Sequence, residues 1–600
     1  MTEYQTFGFG PSAAPGLSRQ SSTGSRSSRA GSERFDVYRR YPPSISRLIW
    51  FACILLLIAL LLLGPISFVV AFIRLNILPA GFGGIIPIPP NNGNDQKQFI
   101  LNVEPVLVEF PTMGPQCRYW IYSYGGTQPG PSIYVDSGSR FEVEVVNTLG
   151  QNPPTTLRQN NQLRFPNTTS THFHGLHASP VGRSDNVFAE VEPGKSFTHL
   201  VHLRRDHPAG TYYIHPHLHG SAGMQTAFAM ASPLIVRDRD EYWRNIPEEI
   251  FTIQRGGLHS THAADDARAA FGQNEGFIQP SQFLCETKSF VLVNGYPQPL
   301  STRCDSLIRR WRIINAAMDG GLVLRFHGTC EVKVIARDGV YLSEGLPKSV
   351  NVAKDVFVVP PGGRIDFLIK GDETCSLSSE PNSEEKIRRS LGPKTALIEA
   401  KIAQCVQINV SGTFEEGMTL EEGQQLPSSK KKPQRSLTEF PDTLPTLPEY
   451  MDDLRRYSKA ERRVLEWTEF NKNFTHGVAK YGINGEAYSN HSRFTIRLDR
   501  VQEWLIVNAI AADNGPAVES HSFHLHTNHF QIVGFSGNTL VNGEDYTIGQ
   551  WRDTVYVPTP GNLTIRWIPR HFTGKSLLHC HTLSHEDTGM SWPFDIVPKL

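Results

Sequence analysis

From about residue 98 onward the chain is written in short runs whose polarity alternates one residue at a time. Phe141-Glu-Val-Glu-Val-Val-Asn147, Arg310-Trp-Arg-Ile-Ile-Asn315 and Glu503-Trp-Leu-Ile-Val-Asn508 share this pattern, and each ends at an asparagine. Alternation of period two puts apolar side chains on one face of a strand. A Pro-Gly pair follows each run at a distance, at Pro193-Gly194, Pro361-Gly362 and Pro560-Gly561. New alternating runs come after these turns, such as Arg364-Ile-Asp-Phe-Leu-Ile369 and Leu563-Thr-Ile-Arg-Trp-Ile568. The recurrence predicts three related β domains, at about 98–240, 245–412 and 465–600. Residues 413–464 are polar, hold Lys430-Lys-Lys432 and several prolines, and read as a linker or insertion with a solvated charge run.

The opposite pattern stands near the start. Leu48 to Ile73 is a run of 26 residues without a charge, between Arg47 and Arg74. That length spans a bilayer as a helix, predicted over 47–74, and it begins too late for a cleaved signal peptide. Residues 1–46, rich in Ser, Gly, Arg and Pro, read as a disordered tail. Arg29, Arg34, Arg39, Arg40 and Arg47 precede the run and only Arg74 closely follows it. This asymmetry predicts a cytoplasmic tail and a large extracellular or lumenal part. Five Asn-x-Ser/Thr triplets lie on that side, at Asn167, Asn409, Asn473, Asn490 and Asn562.

Composition supports an all-β chain, with 50 glycines, 42 prolines and little helical periodicity. The formal net charge is zero, so nothing points to nucleic acid. Of eight cysteines, Cys53 lies in the apolar run and Cys580 between two histidines. The other six, Cys117, Cys285, Cys304, Cys330, Cys375 and Cys405, suit disulfides outside the cytoplasm, with the pairing left open.

Histidine changes the picture. Of 22 histidines, 13 fall in four short windows: His172-Phe-His174 with His177 just after, His215-Pro-His217-Leu-His219, His521-Ser-Phe-His524-Leu-His526 with His529 just after, and His579-Cys-His581 running on to His585 and Met590. In a strand, residues two apart point to the same side. Each window therefore aims a pair of imidazoles at one place, and four pairs give enough donors for a multinuclear metal site. Imidazole alone does not name the metal. Cys580 does: its sulfur points to the other side of its strand, where His585, Met590 and His521 complete two imidazoles, a thiolate and a thioether. That is the ligand set of a blue-copper centre. His177, His219 and His529 fall outside this logic and read as supporting residues.

These windows resemble the copper signatures of the multicopper oxidases, the family of laccases, ferroxidases and bacterial cuprous oxidases. The resemblance covers about residues 98–600. It implies three consecutive cupredoxin-like Greek-key β-barrel domains and four copper ions. Type 1 ligands would be His521, Cys580, His585 and axial Met590; type 2 would take His172 and His524; the type 3 pair would take His174, His215, His217, His526, His579 and His581. Asp185 matches the family acid near the type 2 site and Glu586 a proton-relay acid of bacterial members. Ser522 and Thr527 stand where the family usually has Pro and Gly.

The resemblance implies an oxidase that uses dioxygen as acceptor and a small reducing substrate as donor. A laccase-like oxidation of phenols or aromatic amines leads. A metal-ion oxidase is the alternative, with a metal permease as partner if it is a ferroxidase. Cuprous oxidation is disfavoured, because there are eight methionines and no Met-rich segment. A ligand-depleted scaffold protein is disfavoured by the complete donor set.

Overall fold

The computed structural model describes residues 96–109, 118–152, 160–162, 164–256, 290–297, 299–304, 307–381, 395–406, 437–470, 480–508, 519–537 and 546–599. The apolar run 48–73, the tail before it, Cys117, Cys285, Asn409, Asn473 and residues 413–436 lie outside them. Among the described residues no helix is long and apolar enough to cross a membrane.

The described chain is built of strands, with short helices at Ala222–Ala227, Glu241–Asn245 and Leu583–Asp587. Six sheets form from three stretches of sequence, two sheets from each. In every stretch the opening strand runs parallel to the asparagine-ended strand: Gln96–Val103 beside Arg140–Asn147, Glu248–Ile253 beside Arg310–Asn315, and Glu461–Glu466 beside Gln502–Val507. Alternating apolar residues fill the space between paired sheets. Leu101, Val143 and Phe173 lie in the first core, Trp311, Leu324 and Phe367 in the second, and Trp504, Phe523 and Trp567 in the third.

The recurring asparagines have a physical job. Asn147 Nδ2 donates to the carbonyls of Asn167 and Val191 at 2.7 and 2.8 Å. Asn315 Nδ2 donates to those of Gly320 and Val359 at 2.9 and 3.0 Å. Asn508 Nδ2 reaches the Glu519 carbonyl and Thr559 Oγ1 at 3.0 and 2.7 Å. Each side chain thus supplies donors to backbone where the ladder ends and buried carbonyls need them. The carbonyls of Asn147 and Asn315 accept the amides of Gly194 and Gly362. Those glycines have φ of +77° and +81°, which explains the Pro-Gly pairs.

Two disulfides, Cys304–Cys405 and Cys330–Cys375, staple the middle stretch, while Cys580 is free and buried. Residues 437–457 are packed against the body: Leu444 joins Trp243, Ile308 and Tyr341, and Met451 and Leu454 join Trp551 and Ile568. Asn167 corrects one expectation. It is buried, accepts from Tyr122 Oη at 2.6 Å and donates to the carbonyls of Gly150 and Gln151, so this fold leaves no room for a glycan there.

Candidate metal centre

Two antiparallel strand pairs carry the histidines. Thr171–His174 lies beside Gly210–Pro216 with His172 opposite His215. Ser522–Leu525 lies beside Gly574–Cys580 with His524 opposite His579. The pairs face each other and their rings interleave: His172 stacks on His526 and His174 on His524, each with centroids 3.9 Å apart. All eight imidazoles are buried.

Their nitrogens converge in three groups. His172 Nε2 and His524 Nε2 are 3.3 Å apart. His174 Nδ1 lies 3.3 Å from His215 Nε2 and 3.2 Å from His581 Nε2. His579 Nε2 lies 3.2 Å from His217 Nε2 and 3.1 Å from His526 Nε2.

The outer nitrogens fix the tautomers. Nδ1 of His215, His524 and His579 donates to the carbonyls of Pro216, Asp553 and Cys580, at 2.9, 2.9 and 3.0 Å. A carbonyl only accepts, so these Nδ1 atoms carry the hydrogen and each Nε2 points inward as a lone pair. Asp185 Oδ1, 3.0 Å from His172 Nδ1, does the same for His172. Two lone pairs facing at 3.3 Å repel unless a cation lies between them. Two nitrogens about 2.0–2.1 Å from one tetrahedral ion sit at about this separation. Burial, then neighbouring imidazoles, push His172 and His579 well below the usual histidine range, which leaves the neutral form that binds metal.

On the other side of the Gly574–Cys580 strand a second group forms. His521 Nδ1 and His585 Nδ1 are 3.1 Å apart, and Cys580 Sγ lies 3.7 and 3.8 Å from them. Met590 is buried in the same core, and its amide and carbonyl bond to His585 and Cys580. Burial pushes the Cys580 thiol up to about 12, so a thiolate here needs an adjacent cation. The donors fit copper, which takes imidazole together with soft sulfur.

Residues 446–599 and 152–241 match two family models, each described as multicopper oxidase. The chain is 22% identical over 519 residues to a multicopper oxidase of Staphylococcus aureus, covering 84% of this chain and 89% of that one. It is 24% identical to an iron transport multicopper oxidase of Gibberella zeae (78% and 72% covered) and 22% identical to a laccase of Bacillus stratosphericus (85% and 96% covered). A solved multicopper oxidase from Campylobacter jejuni, described as a metallo-oxidase, shares the fold with a TM-score of 0.59 at 20% identity, over 85% of this chain and 93% of that one. Two stretches of this chain thus carry multicopper oxidase domains, and relatives named multicopper oxidase and laccase align with most of its length.

Acidic residues frame the histidines. Asp185 also accepts the Phe173 amide at 2.9 Å, so one carboxylate fixes both the ring and the strand of His172. Glu586 Oε1 lies 3.3 Å from His217 Nδ1, and Oε2 3.3 Å from His579 Nδ1. Burial, and then Asp587, push the Glu586 carboxyl well up. Asp587 accepts the amides of Gly220 and Gly223 at 2.7 and 2.8 Å, which ties the Leu583–Asp587 helix to the loop after His219.

Sequence spacing missed the roles of Arg364 and of three carboxylates, Asp553, Asp338 and Glu519. Asp553 Oδ1 lies 3.2 Å from His174 Nε2, and its carboxylate pairs with buried Arg364. Asp338 accepts the Arg364 amide at 2.9 Å and Arg552 Nε at 2.7 Å. Glu519 Oε1 lies 3.5 Å from His585 Nε2 and 3.3 Å from Tyr481 Oη. The three supporting histidines stay out of the cluster: His219 Nε2 meets Asn161 Oδ1 at 3.1 Å, His177 Nδ1 donates to the Thr527 carbonyl at 2.6 Å, and His529 stands 3.7 Å from Asp553. Thr527 has φ of +71°, a conformation costly for a β-branched residue, which gives a reason for glycine at this family position. Its hydroxyl meets Ser576 Oγ at 3.1 Å.

Proposed function

We propose that this protein is a multicopper oxidase that takes electrons singly from a phenol or aromatic amine at the His585 rim and passes them to dioxygen in the histidine chamber. One observation carries the reading. Cys580 faces His521 and His585, while its chain neighbours His579 and His581 face the chamber. In this reading His521, Cys580, His585 and Met590 hold type 1 copper, and His172 and His524 hold type 2 copper. His174, His215 and His581 serve one type 3 ion, and His217, His526 and His579 the other. Bound copper supplies reversible one-electron steps that together turn one dioxygen into two waters.

The residues divide the remaining work. The His585 side chain, 9% exposed, gives a donor an edge to touch. Burial of the chamber keeps bulk water from its histidines. Asp185 and Glu586 supply protons at His172 and at His217 and His579, since the reduction consumes four protons. The sheet pairs correspond to three cupredoxin-type Greek-key domains at 98–240, 245–412 and 465–600. Residues 48–73 anchor the enzyme in a membrane, with the oxidase outside or in a lumen.

Glu519 favours a second reading. A carboxylate beside the exposed edge of His585, itself 20% exposed, suits a cationic donor such as ferrous iron. The relative named for iron transport in Gibberella zeae supports it, and a metal permease would then be a partner. Oxygen consumption by the copper-loaded protein separates the readings. A higher catalytic efficiency on 2,6-dimethoxyphenol supports the first; a clear preference for ferrous iron overturns it in favour of the second.

A further inference from the structure

One strand stands over the Cys580 group without supplying any of its ligands. Tyr481–Ile483 pairs antiparallel with Trp467–Glu469. Two aromatic rings of this pair reach the ligand histidines. Trp467 lies 5.9 Å from the His521 ring, and Tyr481 lies over the His585 ring with centroids 4.1 Å apart and planes 31° apart. The Tyr481 hydroxyl donates to Glu519 Oε1 at 3.3 Å, which pins the far end of the ring.

The backbone of the same strand meets the loop that carries Met590. The amides of Lys480 and Tyr481 both donate to the Thr588 carbonyl, at 3.1 and 3.2 Å. Next along the loop, Gly589 has φ of +125°, a conformation that favours glycine. A Cβ at this position would overlap the Tyr481 carbonyl oxygen and come within 3.2 Å of the Ala487 Cβ. Glycine thus lets the loop lie directly against the strand. Met590 follows at once. Its amide donates to the His585 carbonyl at 2.9 Å, and its carbonyl accepts from the Cys580 amide at 3.1 Å. With both backbone groups tied to ligand residues, Met590 does not move independently of them. Groups that orient metal ligands tune the metal, and in such a centre the axial thioether tunes the reduction potential.

We propose that Tyr481 and Gly589 are positioning residues of the Cys580 centre. The close approach of Gly589 to the Tyr481 backbone sets where Met590 stands, and the Tyr481 ring holds the plane of His585. The proposal rests on this group holding type 1 copper. Both residues act through a ligand, so one strand governs the potential at which electrons enter.

Redox titration of the visible band and a crystal structure of the copper-free variant test it. Copper-loaded Gly589→Ala should keep the band. Its one-electron equilibrium with a redox mediator should shift about tenfold, or about 59 mV. The copper-free Gly589→Ala structure should show residues 588–590 displaced from Tyr481. Tyr481→Leu, which removes the ring, should shift the equilibrium severalfold, and Tyr481→Phe, which keeps it, should stay within twofold of the parent. If Gly589→Ala does not load copper, the two Tyr481 variants decide. A Gly589→Ala protein with the parental potential, or Tyr481→Leu and Tyr481→Phe that differ in stability but share the parental potential, overturns the positioning role alone. A copper-loaded parent without the visible band overturns the type 1 reading and the proposal with it.

Discussion

Asp553 Oδ1 lies 3.2 Å from Nε2 of His174, a residue 379 positions earlier in the chain. The same carboxylate pairs with Arg364 of the middle stretch, so all three stretches meet at one buried charge. Gly175, next to His174, has φ of +87°, and a Cβ there would collide with the Arg364 guanidinium and the Asp553 carboxylate. Among the described residues the middle stretch supplies no imidazole to the chamber, yet Arg364 helps hold the wall in place. Removing one partner of such a pair leaves an uncompensated buried charge. Asp553→Ala should therefore lower the stability of the copper-free protein by about 3–5 kcal/mol. Denaturant titration reads this, and an unchanged midpoint would show that Arg364 is satisfied without it.

Cys580→Ser should abolish the intense visible absorption and reduce turnover of every donor to background. Retained colour would sink the placement of the thiolate. Met590→Leu should keep the colour and raise the reduction potential, because the axial thioether tunes rather than builds the site. Redox titration of the visible band checks it.

Glu519→Gln separates the two substrate readings at a single atom pair. If ferrous iron is the donor, the variant should raise its KM about tenfold or more, about 1.4 kcal/mol of lost binding. The phenol should then change by no more than about twofold. Equal, small effects on both donors would remove Glu519 from the cation reading.

Acid should destabilise the copper-free protein through histidines that are not part of the cluster. His199 donates to the Ser184 carbonyl at 2.7 Å and His207 to that of Pro208 at 2.9 Å. Burial pushes both down to about 4. An unfolded histidine titrates near about 6.5, so between these values the unfolded chain binds more protons than the folded one. Their stabilisation is complete above about pH 6.5 and is lost as pH falls toward 4, about 3 kcal/mol for each. His199→Gln should flatten the stability slope in that window by about one proton, as measured by denaturant midpoints at several pH values.

Sequence patterning went far where the physics is local. The asparagine-ended strands and Pro-Gly turns were readable because each reflects a nearby backbone need, and Gly194 and Gly362 show it in their positive φ. The two-residue step let His172 be grouped with His174, and set Cys580 apart from its neighbours. Asp553, Arg364 and Asp338 were invisible because nothing in Trp551-Arg552-Asp553-Thr554 announces a partner from another stretch. Glu519 was hidden for the same reason, since its place beside His585 depends on how a loop closes. Asn167 shows the converse: its triplet is legible, but burial decides its fate.

The alternation at His579, Cys580 and His581 also bears on how such an enzyme can diversify. On the proposed function, a donor near His585 and dioxygen in the histidine chamber would lie on opposite sides of one strand of backbone. Selection can rebuild the outer loops, Glu519 included, to suit a new electron source without disturbing the inner lining.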